Sequence, residues 1–76
     1  MITAEQALQA IQRMEEIRAA GCIVSLRLGP FGWSCDISDP DVTGTNVAQK
    51  DTPDAAVEVA HERWSAKVAQ FQGAQL

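Results

Sequence analysis

Two rhythms of apolar residues divide the chain. Leu8, Ile11, Met14 and Ile17 recur at helical spacing, with Ala4 and Ala7 extending the stripe, while Glu5, Gln9, Gln12, Arg13, Glu16 and Arg18 mostly fill the other face. Thr3 is a good N-cap, Gln6 three residues later completes a capping box, and Ile2 and Ala7 stand where a hydrophobic staple would hold the helix start. Gly21 is placed to end this helix. From Cys22 the period changes to two. Cys22, Val24, Leu26 and Leu28 point one way; Ile23, Ser25 and Arg27 point the other. Gly29-Pro30-Phe31-Gly32 is a turn, and Trp33, Cys35 and Ile37 then alternate with Ser34 and Asp36. A regular hairpin sets Leu28 opposite Trp33, Leu26 opposite Cys35 and Val24 opposite Ile37, so that both strands offer their apolar side chains to one face.

Beyond Ile37 the pattern weakens. Asp39-Pro40-Asp41 and Thr43-Gly44 have turn chemistry, and 45–49 predicts a short edge strand with Val47 inward. Thr52-Pro53-Asp54 opens a second helix: Thr52 caps, Pro53 needs no N–H partner in the first turn, and Asp54 meets the positive helix end. Val57, Ala60, Trp64, Val68 and Phe71 form its stripe, broadened by Ala56, and the helix is expected to fade near Gln72-Gly73 into a frayed tail from about residue 72. The expectation is one α+β domain over residues 1–76, helix-strand-strand-(strand)-helix. Both helices cover one face of a small antiparallel sheet, because a lone hairpin is unstable in water. Leu8, Ile11, Met14, Val24, Leu26, Trp33, Ile37, Ala60, Trp64 and Val68 are the expected core.

Composition narrows the function classes. A chain of 76 residues buries only about 60% of its unfolded surface. So small a core gains from a partner and leaves homodimerisation open. The net charge of −4 repels phosphate backbones, and the six basic residues form no run, so direct nucleic-acid binding is disfavoured. No stretch approaches a membrane span and no signal peptide is recognisable, so the reading is a soluble cytoplasmic protein, in the host cytoplasm if phage-encoded. Two cysteines are then expected as free thiols.

Candidate chemistry is sparse. His61 has only Glu58 and Ser65 at helical spacing and no nucleophile-base-orienter set, which points away from an enzyme. Cys22 and Cys35 fit no redox or zinc spacing, one histidine cannot complete a tetrahedral site, and the hairpin register holds the two apart. Asp39, Asp41, Thr43 and Gly44 mimic the opening of a calcium loop, but Lys50 stands where the bidentate glutamate belongs. No metal site and no cofactor are expected. Phe31, at a hairpin tip, either folds back onto Trp33 or a helix or stands out as an interface anchor. Asp36, Asp39, Asp41, Asp51, Asp54, Glu58 and Glu62 are either a solvated surface or a patch for a basic protein. With Phe31, these are the candidate partner-binding residues.

Pro40-Asp41-Val42-Thr43-Gly44, followed by Asp51-Thr52-Pro53-Asp54-Ala55-Ala56-Val57, resembles the strand-to-helix junction of HicB-like antitoxins. That likeness implies a dimeric regulator that sequesters a toxin. The element order also resembles a double-stranded-RNA-binding domain, but Asp54 and Glu58 stand where such a domain needs lysines, so RNA binding is not carried over. By size, charge and architecture the chain is similar to phage and prophage accessory proteins of the anti-CRISPR, or anti-defence, kind. The resemblance implies a non-enzymatic inhibitor that occupies a basic, nucleic-acid-binding protein through an acidic surface.

Overall fold

The computed structural model of the protein describes residues 3–42 and 46–74. Its elements are α1 (Ala4–Ala19), β1 (Ile23–Gly29), β2 (Gly32–Ser38), β3 (Asn46–Lys50) and α2 (Pro53–Ala74). The capping box forms in full: Gln6 N–H donates to Thr3 Oγ1 at 3.1 Å, and Thr3 N–H donates to Gln6 Oε1 at 2.9 Å. The expected staple residue Ile2 lies outside the described residues. At its other end α1 closes in a Schellman turn. Gly21 takes φ +88°, its N–H donates to Arg18 C=O, and Cys22 N–H donates to Ile17 C=O. The chain thereby reverses into β1 with Cys22 already pointing into the core.

The sheet is antiparallel in the order β1-β2-β3, with β1 and β3 as the outer strands, and Arg63 of α2 donates to the Val47 carbonyl of β3. The hairpin register is the one the alternation dictates, with Leu28 opposite Trp33, Leu26 opposite Cys35 and Val24 opposite Ile37. Pro30 and Phe31 form its tip. Gly32 has φ +115°, and a Cβ there would sit 2.6 Å from the Lys50 carbonyl oxygen, so the tip is packed against the end of β3.

Both helices pack on the face that carries Cys35, Ile37 and Ala48, with α2 across β2 and β3 and α1 along α2 and β1. They run in the same direction, since Arg13 meets Glu58 and Glu16 meets His61, three residues on along each helix. The core joins Ile17, Cys22, Cys35, Ile37 and Val57 to the small residues Ala10, Ala48, Ala56 and Ala60, and is closed by Trp64. Met14, Val24, Leu26, Trp33 and Val68 are partly buried against it.

Four expectations need correction. Leu8 and Ile11 are each 56% exposed. The inward line of α1 is Ala10–Ile17, and Ile11 and Leu8 stand about 100° and 160° round the helix from Ala10. Alanine at the contact lets α1 approach closely, and the larger side chains are displaced from the seam. Leu28 shares the inward face yet is 67% exposed, because it lies at the tip, beyond the cover of α1. In β3 the inward residue is Ala48, opposite Cys35, while Val47 pairs with Asp36 on the outer face. Small Ala48 lets α2 lie close over the sheet. Finally, α2 continues through Ala74, past the expected fraying point at residue 72. A single glycine near a helix end costs only about 1 kcal/mol and does not stop the helix.

Candidate functional site

The hairpin register separates the candidate residues along the sheet. Trp33 pairs with Lys50 at the tip end, and Ser38 pairs with Ile23 at the far end. Trp33 and Ser38 are five residue steps apart along β2, a distance of roughly 17 Å. Asp51 and Asp54 follow Lys50 and belong to the tip end with Phe31. Asp39 and Asp41 follow Ser38 and belong to the far end.

At the tip, Phe31 is 82% exposed and does not fold back onto Trp33 or a helix. Leu28 stands beside it on β1. The Asp51 Cα lies 3.7 Å from where a Gly32 Cβ would be, which sets the Asp51 backbone next to the tip residue. Asp51 is exposed, whereas Asp54 is half-buried with an unpartnered Oδ1. Arg27 and Lys50 are also exposed near this end, so the tip carries both signs of charge around an apolar centre.

At the far end Asp39 organises a corner. Trp64 Nε1–H donates to Asp39 Oδ2 at 2.8 Å, and Asp41 N–H donates to Asp39 Oδ1 at 2.9 Å. These two bonds, the indole's first, hold the Asp39 carboxyl below its ordinary 3.8. Burial first, and then the neighbouring Asp39 carboxylate, push the pKa of the buried Cys22 thiol up to about 11. Cys35, at the sheet centre, is likewise pushed up to about 11, by burial and then by the charge of Asp36. The two cysteines are unpaired. Thr43 and Gly44 of the calcium-like stretch lie outside the described residues, and each of the two carboxylate oxygens of Asp39 already accepts a hydrogen bond within the chain.

The remaining acids are scattered. Asp36 is on the outer sheet face, where its Oδ1 is buried without a partner. Glu58 accepts from Arg13 Nε at 3.3 Å and forms part of the helix-helix seam. Glu62 is exposed on α2. The seven acids therefore do not form one continuous patch, and Asp39 and Glu58 are committed to intramolecular bonds. His61 belongs to the same seam as Glu58: Nε2 lies 3.3 Å from Glu16 Oε2, and the ring packs against Trp64 at 5.6 Å between centroids. Among the described residues no group of three or more His, Cys, Asp or Glu is placed to hold a metal ion, and no helix is long and apolar enough to cross a membrane.

Sequence reasoning singled out Phe31 correctly as a tip residue. It did not find the Asp39–Trp64 bond, which joins positions 25 residues apart. The available signal was a tryptophan in a core stripe, since a buried indole needs an acceptor for its N–H. Comparison with known protein families, curated proteins and solved structures finds no match to this chain.

Proposed function

We propose that the protein is a non-enzymatic binding module that docks on a basic protein, and that the β1–β2 hairpin tip is its contact point. Phe31 carries this reading: a large aromatic residue, 82% exposed, held on a two-residue turn that Gly32 locks against β3. Aromatic anchors of this kind dominate binding energy at protein interfaces, and a rigid turn limits the entropy lost on docking. The net charge of −4, with Asp51 next to the tip, favours a positively charged partner and speeds encounter with it. A phage-type inhibitor of the anti-CRISPR kind, occupying a nucleic-acid-binding protein, fits these features. The test is to measure binding to purified nucleic-acid-binding protein complexes at low and high salt, with wild type and Phe31→Ala in parallel. The expected result is a complex that weakens with salt, excludes the nucleic acid and loses at least tenfold in affinity on Phe31→Ala. A complex insensitive to both salt and Phe31→Ala overturns the reading.

A HicB-like, dimeric regulator is the second reading. It is favoured by the β1 edge, which pairs with no further strand among the described residues, and by the exposed apolar side chains of Leu8 and Ile11 on α1. An unpaired strand edge and exposed apolar side chains on a small domain suit pairing with another chain. Sedimentation equilibrium over a range of concentrations separates the two: the first reading requires a monomer competent to bind, the second a dimer.

A further inference from the structure

We infer that a cleft at the far end of the sheet, between the C-terminal half of α2 and the loop that follows β2, is a binding site for a guanidinium group. The cleft has a volume of about 520 Å³ and is lined by Asp39, Asp41, Val42, Trp64, Val68 and Phe71. That volume lies within the range of small-molecule sites, and the lining sets two carboxylates among apolar and aromatic side chains. It is separate from the hairpin tip, roughly 17 Å along β2, and does not depend on what docks there.

The chemistry of the lining selects the ligand. Both charged groups are carboxylates, so an anion is repelled. A carboxylate offers about four lone-pair positions. Asp39 uses one oxygen for Trp64 Nε1–H and the other for Asp41 N–H, which leaves acceptor capacity on each oxygen and fixes the group in place. The indole bond also favours the ionised form of Asp39. Asp41 is exposed and makes no ion pair among the described residues. Two carboxylates next to Trp64 and Phe71 suit a cation that is planar, presents several donors in a fixed fork and stacks on aromatic rings. A guanidinium has all three properties, whereas an ammonium is compact and strongly hydrated. The group could arrive on a free small molecule or on an arginine side chain of a protein; the recognition chemistry is the same.

The experiment is an NMR titration of the full chain, labelled with ¹⁵N, with N-acetyl-arginine amide. Trp64 Nε1–H and the Asp41 and Val42 amides report on the cleft, and the indole of Trp33 is an internal control. The expected result is saturable shifts at those cleft signals, with affinity on the order of millimolar, and no shift at Trp33. The citrulline amide, isosteric but uncharged, should give none, and the lysine amide should bind several-fold more weakly. Asp39→Asn with Asp41→Asn should weaken binding about tenfold or more. Phe71→Ala, at an exposed position, should weaken it several-fold with the fold intact, and so gives a second answer if the double variant fails to fold. An arginine-containing peptide that binds at least tenfold tighter than the amide assigns the site to a protein side chain; equal affinity assigns it to a small molecule. No saturable shift, an equal response to citrulline or lysine, or a response shared by Trp33 overturns the site. Phe31→Ala should leave the titration unchanged, so failure of the hairpin-tip reading and failure of this one are told apart.

Discussion

Trp64→Phe separates the two roles of Trp64. The side chain is 8% exposed, fills the end of the core and donates its indole N–H to Asp39 at 2.8 Å. Phenylalanine keeps an aromatic ring but loses the donor and leaves a small void. The void costs the same at every pH. The bond does not, because its acceptor titrates. A hydrogen bond to a charged acceptor contributes about 1.5–3 kcal/mol, against about 0.5–1.5 kcal/mol for one to a neutral acceptor, so ionisation of Asp39 is worth about 1 kcal/mol to the wild type. Its pKa is depressed in the folded state, and this stabilisation is therefore fully present above the ordinary 3.8 and lost as pH falls through the lower folded value. Urea unfolding followed by far-UV circular dichroism, on wild type and Trp64→Phe at neutral pH and near pH 2, measures the difference. The penalty of the substitution should shrink by about 1 kcal/mol on acidification. An equal penalty at both pH values would refute the claim that the indole bond, rather than packing alone, fixes the Asp39 corner.

Ile17→Ala should cost about 2–5 kcal/mol, whereas Leu8→Ala and Ile11→Ala should each stay within about 0.5 kcal/mol; chemical denaturation midpoints check the assignment of the inward face of α1. Native protein should show two thiols that react slowly with a thiol reagent at pH 8 and fast once denatured, and thiol counting without reductant should find no bridge. Because both folded thiols lie near 11 against an ordinary 9.0, folding stability should be level below pH 9 and fall between pH 9 and 11, readable as a drop in melting temperature. Arg13→Ala should cost less than about 1 kcal/mol at low salt and less still at high salt, since the Arg13–Glu58 pair is part-exposed.

Local signals carried the fold a long way. Thr3, Gln6 and Gly21 determine both ends of α1 through hydrogen bonds to residues at most five positions away, and alternation around a short turn fixes the hairpin register. What failed depended on volume rather than on pattern. A stripe rule ranks Leu8 and Ile11 above Ala10, and Val47 above Ala48, because it scores hydrophobicity. The packed structure prefers the small residue wherever a helix must come close, at Ala10 between α1 and its neighbours and at Ala48 under α2. Tertiary closeness of this kind leaves no mark on periodicity.

The same limit applies to the candidate sites. Along the sequence the acids from Asp36 to Glu62 cluster in the middle of the chain and in the second helix, and a cluster invites the idea of one patch. The antiparallel sheet then sends Asp39 and Asp41 to one end and Asp51 and Asp54 to the other, while α2 turns Glu58 into the seam with α1. The acidity is thus divided between two ends of different character. One presents an exposed aromatic residue on a tight turn, with charges of both signs around it. The other presents a cleft in which the carboxylates are held beside aromatic walls. A flat acidic surface would attract any cation through long-range charge alone, and that attraction is screened by salt. Separate anchoring features instead ask for particular shapes, an apolar pocket at the tip and a planar cation at the cleft. The salt-insensitive part of any binding should therefore follow Phe31 at the tip, or Phe71 together with Trp64 at the cleft, and not the number of acids removed.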